Sequence, residues 1–226
     1  MSRFSLTAFT LAAFFVLLPC ARAGLITGPG GFLSTYTGPQ TPDLEVSTAQ
    51  VFFNPSTSVF TFTATLDAAP VTGDIYVWGI NTGSNVAPFG AFAPNVLFDS
   101  VLILEPGSTS FVDSNIITAS PVITDLTTGQ VTISGKTITA TFAASLLPSD
   151  GFTPQNYGVD LWPRNSLSDG TAQIAQFAPA SANADASVTV TPEPASRLLF
   201  ASALVFGALM RRSRTRRRAA AVTEPS

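Results

Sequence analysis

The chain has 226 residues, enough for one ordinary domain plus targeting segments. It contains no histidine and a single cysteine, Cys20, which excludes a Ser-His-Asp triad, a histidine zinc site and, beyond the N-terminal segment, any disulfide or thiolate nucleophile. From Gly24 to Val190 twelve acidic residues stand against Lys136 and Arg164 alone, a formal charge of −10 that repels phosphate backbones and excludes nucleic acid as a partner.

Residues 1–23 have the layout of a secretory signal. Arg3 supplies the positive start, Phe4 to Leu18 is mostly apolar, and Ala21-Arg22-Ala23 is a small-x-small site that predicts cleavage before Gly24. The apolar stretch is short for a span, which needs about 20 residues. Cys20 raises a lipoprotein alternative, but Pro19 stands where a small residue is expected before a lipidated cysteine.

Residues 24–190 form the predicted exported domain. From Gly24 to Asp43 the chain is rich in Gly, Pro, Thr and Ser and is expected to be irregular. Gly28-Pro29-Gly30-Gly31 lacks the lysine of a phosphate-cradling loop. Strand patterns follow. Val46 to Phe53 is the first. In Ser58 to Leu66, Phe60, Phe62, Ala64 and Leu66 share one face, and Thr61, Thr63 and Thr65 share the other. Period-2 alternation of this kind marks a half-buried strand, with the Phe side in the core and the Thr side toward solvent. Asp74 to Ile80 and Val96 to Leu104 are apolar on both faces and suit central strands of a two-layer core. Pro121 to Leu126 comes next. Val131 to Phe142 reads as a hairpin about a two-residue turn at Gly135-Lys136. Ala143 to Leu147 suits one short helical turn. Tyr157 to Trp162 and Ala186 to Thr191 complete the strands, and Ala172 to Ser187 reads as a last edge segment plus linker. Short strands at this spacing, separated by Gly/Pro/Asn turns, predict an all-β antiparallel sandwich or jelly-roll-like domain.

Three features of this domain bear on chemistry. Tyr76, Trp78 and Trp162 form either core or an aromatic platform that stacks on sugar rings. Asp113-Ser114-Asn115, with Asp150, Asp160, Asp169 and Asp185, offers oxygen ligands for calcium, against a plainer reading as turn residues. No regular calcium loop is present, so no metal ligands are assigned and no cofactor is required. Twelve acids guarantee some carboxylate pair, so their number does not argue for glycoside cleavage, and the chain reads as a non-enzyme. Arg164 is expected to pair with a nearby carboxylate such as Asp160.

Residues 191–218 combine Pro192-Glu193-Pro194, the apolar run Leu198 to Met210, and Arg211, Arg212, Arg214, Arg216, Arg217 and Arg218; residues 219–226 follow as a short cytoplasmic tail. Thirteen residues of helix span about 20 Å, short of a ~30 Å hydrocarbon core. Snorkelling of Arg197 and Arg211 and local thinning narrow that gap. Arginines stay on the cytoplasmic side, so the domain is expected outside and the tail inside.

In this order, and with a signal peptide ahead of it, the tail resembles the PEP-CTERM sorting signal. The resemblance covers roughly the last 35 residues. It implies recognition by a membrane-embedded exosortase, cleavage near the motif, and a role alongside exopolysaccharide or biofilm in Gram-negative bacteria. The partners it implies are the secretion machinery, the inner membrane before processing, the exosortase and exopolysaccharide. The expected function is that of a structural or adhesive component of the envelope or matrix, with a carbohydrate-binding module or a cryptic hydrolase as alternatives. Arg197 just before the apolar run and the residues after the arginines depart from the family's pattern.

Overall fold

The computed structural model describes residues 25–28, 30–117, 120–168, 170–180 and 185–190. The signal segment with Ala21, Ala23 and Gly24, the Pro192-Glu193-Pro194 motif, the apolar run and the arginine cluster all lie outside the described residues, as does Asp169. Among the described residues no helix is long and apolar enough to cross a membrane.

The described strands are β1 (Ile26–Thr27), β2 (Val46–Asn54), β3 (Val59–Leu66), β4 (Ile75–Asn81), β5 (Ser100–Leu104), β6 (Phe111–Ser114), β7 (Val122–Asp125), β8 (Val131–Ser134), β9 (Thr137–Ala143), β10 (Gly158–Arg164), β11 (Ala186–Ser187) and β12 (Thr189–Val190). They form two sheets. Sheet A runs β1-β2-β3-β9-β8, with β12 also on β2; sheet B runs β11-β10-β4-β5-β6-β7. Pairing is antiparallel throughout except between β12 and β2.

The alternation of β3 sets the inner face of sheet A. Phe60, Phe62, Ala64 and Leu66 are buried, and across the pair so are Phe142, Ala140 and Ile138 of β9. Tyr76, Trp78, Ile80, Leu102, Leu104, Val159 and Leu161 of sheet B meet them in one core. Phe62 stacks on Phe142 with ring centroids 5.4 Å apart and meets Trp78 edge-on at 5.3 Å. On the other face of β3, Thr63 and Thr65 lie opposite Thr139 and Thr137, half-buried rather than free in solvent, with hydroxyls 3.5 and 3.2 Å apart. The hairpin turns at Gly135-Lys136 as its sequence predicts, with Ser134 paired to Thr137 and Gly135 at φ 56°.

Sheet A covers the inner face of sheet B, and β4, β5 and β10 are buried on the outer face as well. That outer face carries Val77, Val101, Ile103 and Trp162, and irregular chain covers it: Phe89, Ala93, Val96 and Phe98 from one segment, Ile174 and Phe177 from another. Two expectations change accordingly. Val96 to Leu104 is a strand only from Ser100, because residues 96–98 belong to this covering layer. Residues 174–178 are no linker: Ile174, Ala175, Phe177 and Ala178 are buried, and Ala178 exchanges two 2.8 Å backbone bonds with Leu161. β1 and β6 are short strands with too little pattern of their own to be expected.

The final described residues cross from one sheet to the other. Ala186 and Ser187 pair with Val159 and Gly158 in sheet B; Thr189 and Val190 pair with Phe52 and Phe53 in sheet A; Val188 between them is buried. This strap closes one side of the two-sheet stack. On the other side a cleft of about 400 Å³ opens beside β8, lined by Glu105 to Ser110, Leu126 to Gly129, Val131, Ile133 and Ile138.

Candidate functional site

The aromatic candidates do not form a platform. Tyr76 and Trp78 are 0% exposed and Trp162 is 2% exposed. The reason is their position on sheet B. Tyr76 and Trp78 alternate into the core between the sheets, and Trp162 faces the covering layer, where it packs against Phe89, Phe98 and Phe177. A sugar ring cannot reach any of the three in this packing, so of the two readings core holds and the platform does not.

The expected Arg164–Asp160 pair is also absent. Arg164 donates from Nε to the Ser166 carbonyl and from a terminal nitrogen to the Gly170 carbonyl at 2.7 Å, which ties down its own loop. Neither carboxyl oxygen of Asp160 has a hydrogen-bond donor.

Asp160 is the most unusual group in the domain. Inward Val159 and Leu161 flank it, so its side chain shares the outer face of β10 with Trp162, beneath the covering layer. It is 0% exposed. The polar group facing it, within hydrogen-bonding reach, is the carboxylate of Asp185 at the start of the strap. That neighbour is itself an acceptor, so the contact closes only with a proton or a cation between the two. Burial first, and then the Asp185 carboxylate, push the Asp160 carboxyl up to about 10.

The chain positions Asp185 with care. Leu97 N–H donates to its Oδ1 at 3.1 Å, and Asn81 Nδ2 donates to its Oδ2 at 3.4 Å. Asn81 is locked in turn, since its Oδ1 accepts the N–H groups of Gly83 and Asn85. Opposite Asn81 in the sheet sits Gly158, where an added Cβ would come within 2.5 Å of Asp185 Oδ2. Glycine is what leaves room for the carboxylate. Beside it a cleft of about 290 Å³ opens, lined by Asn81, Asn85, Asn95, Asn156 and Asp185 among others.

Asp99 shows the contrast. It is as buried as Asp160 but accepts four hydrogen bonds, from the N–H and hydroxyl of Thr82 at 2.9 and 2.9 Å and from those of Ser84 at 3.2 and 2.9 Å. The fold supplies donors to one buried carboxylate and none to the other.

A second carboxyl pair lies at the opposite end of β4. Tyr76 OH donates to the Asp43 carbonyl at 2.8 Å and to Asp74 Oδ2 at 3.2 Å, and Val71 N–H donates to the same oxygen at 3.2 Å. Burial, then the hydrogen bond with Asp43, raises the Asp74 carboxyl to about 6. For Asp43 burial works the other way, but hydrogen bonds from Asp74, Thr41 and its own backbone hold it below the ordinary value. In both pairs the carboxyls sit within hydrogen-bonding reach, whereas glycoside cleavage needs about 5–9.5 Å between them.

Of the acidic residues proposed for calcium, Asp113 lies in β6 with its carboxyl raised by burial, and Asn115 just beyond it adopts φ 58°. Asp113 does not join Asp150, Asp160 or Asp185 in a common cluster: among the described residues no three acidic groups converge on one point. Asp160 and Asp185 do meet, although 25 positions separate them in sequence and no local motif announces it. Comparison with protein-family models, with curated proteins and with solved structures returns no match to this chain.

Proposed function

We propose that the chain is an exported, exosortase-sorted protein of the cell envelope or extracellular matrix, with a structural or adhesive role beside exopolysaccharide. One observation carries this reading: the ordered tail of Pro192-Glu193-Pro194, then Leu198 to Met210, then six arginines, in a chain that opens with a cleavable-type signal. The domain between them supports it. The chain from Gly24 to Val190 is strongly acidic, free of cysteine and histidine, and built around one large apolar core. The order in which β9 returns beside β3 and β10 beside β4 fits a jelly-roll-like wrapping. In this reading the signal starts export, the apolar run stops it, and the arginines hold the C-terminus inside because moving that charge through hydrocarbon is unfavourable. The motif then sits on the exported face, where two prolines keep it extended.

The test is to express the chain in a host with and without its exosortase and to measure the intact mass of the product. The expected product begins at Gly24, and it ends near residue 194 only when the enzyme is present. Glu193→Ala should impair that processing and leave the melting temperature of the domain unchanged. A product carrying Ser226 in both hosts would reduce the tail to a simple anchor.

A further inference from the structure

We propose that Asp160 and Asp185 hold a calcium ion that staples the C-terminal strap to β10, beside the edge of sheet B. A fully buried carboxyl without any donor stands on β10 just past its pairing with β11, facing a second carboxyl. That arrangement is costly unless something positive lies between the two. The basic residues of the domain are engaged elsewhere: Lys136 donates to the Asp67 carbonyl at 2.6 Å, and Arg164 to the carbonyls of Ser166 and Gly170. With a formal −10 between Gly24 and Val190, the site sits in a field that attracts cations.

The donor set selects the ion. The two carboxylates offer oxygen alone, and water reaching Asp185 from the adjoining cleft would supply the rest. Neither thiolate nor imidazole is available anywhere in the domain, which disfavours zinc and copper. Calcium takes six to eight oxygens in irregular geometry and accepts water for those the protein does not supply. Magnesium demands a near-ideal octahedron, which two carboxylates reached from different segments do not preset. The cleft gives an ion access to Asp185, which lines its wall, while Asp160 lies buried behind it. Asp185 arrives already oriented by Leu97 N–H and Asn81, and the ion completes its link to β10.

The test uses the purified full-length chain in detergent. Thermal melts are recorded in EDTA, in CaCl2 and in MgCl2, with calorimetric titration of CaCl2 for stoichiometry. Expected are one calcium per chain and a rise in melting temperature on the order of 5 °C at about a hundredfold excess over Kd. Magnesium should give a much smaller rise. Asp160→Asn and Asp185→Asn should each abolish the calcium response. Should Asp160→Asn fail to fold, Asp185→Asn at the cleft wall gives the same readout. Absence of calcium binding to the wild type, an unchanged response in Asp185→Asn, or an equal response to magnesium would each overturn the proposal. A wild type indifferent to calcium, with Asp160→Asn more stable than it in EDTA, would identify a shared proton in place of the ion.

Discussion

Asp74 and Gly79 illustrate how much single side chains decide in sheet B. Asp74 is held at about 6 against an ordinary 3.8, so between those values the folded chain keeps a proton that the unfolded chain releases. Stability from this group is therefore full below pH ~4 and is lost as pH rises toward 6. Asp43, held low, acts in the opposite sense: its contribution is present above the ordinary carboxylate range and fades in stronger acid. The pair favours an optimum near pH 4. Melting temperatures of the wild type and Asp74→Asn, compared from pH 4 to pH 7, should show the wild type losing ground up to pH ~6 and running parallel above it; a gain with rising pH would contradict the assignment. Gly79 lies flat under Trp162, and an added Cβ would meet two ring atoms at 2.6 Å and Phe98 Cβ at 3.2 Å. Gly79→Ala should cost about 1–3 kcal/mol by overpacking, measured by urea unfolding. Nothing in the sequence around Gly79 announces this. The requirement comes from a tryptophan more than eighty positions away.

At the scale of elements, strands with a clear two-residue period were legible, and those defined by their neighbours were not. The alternation of Phe and Thr along β3 predicted its inner face, and the Gly135-Lys136 turn predicted the β8–β9 register. Phe62→Ala should cost about 3–5 kcal/mol, and Thr63→Ser a few tenths, by the same unfolding measurement. Similar losses at both would contradict the assigned faces. The apolar run 96–104 misled because one stretch serves two purposes: residues 96–98 pack over the sheet and 100–104 run within it. Periodicity reports burial, and a covering loop is as buried as a strand. The last segment of the domain does run along the edge at β10, as expected, but its linker part did not hold, for a related reason. Its alanine-rich composition resembles a linker, yet small residues are what close packing beside β10 requires. The aromatic candidates were legible as a group and ambiguous in role, since a platform and a core draw on the same residue types. The carboxyl pair of Asp160 and Asp185 was invisible, because it depends on the long-range pairing of β10 with the strap.

For the whole molecule, the two sides of the sheet stack differ. One side is open: β7 and β8 end the two sheets, with Ile123 62% exposed and Val122 and Ile133 also exposed. Ile123→Lys should shift stability by no more than about 0.5 kcal/mol in urea unfolding, since this side chain is mostly exposed. The other side is closed by the strap, and its position matters once the proposed anchoring is considered. From Val190 to Leu198 there are eight residue steps, at most about 28 Å of extended chain. Before processing, the domain would be tethered against the bilayer, and any pull between matrix and membrane would enter the fold at β12. Among the described residues, two of β12, two of β11 and the Val188 N–H bond to Tyr157 resist that pull. Under load the strap would peel first, and Asp185 would be drawn off Asp160 while the core between the sheets stayed shut. The domain would thus yield at its seam before its centre, and an ion at the proposed site would set the force at which the seam lets go.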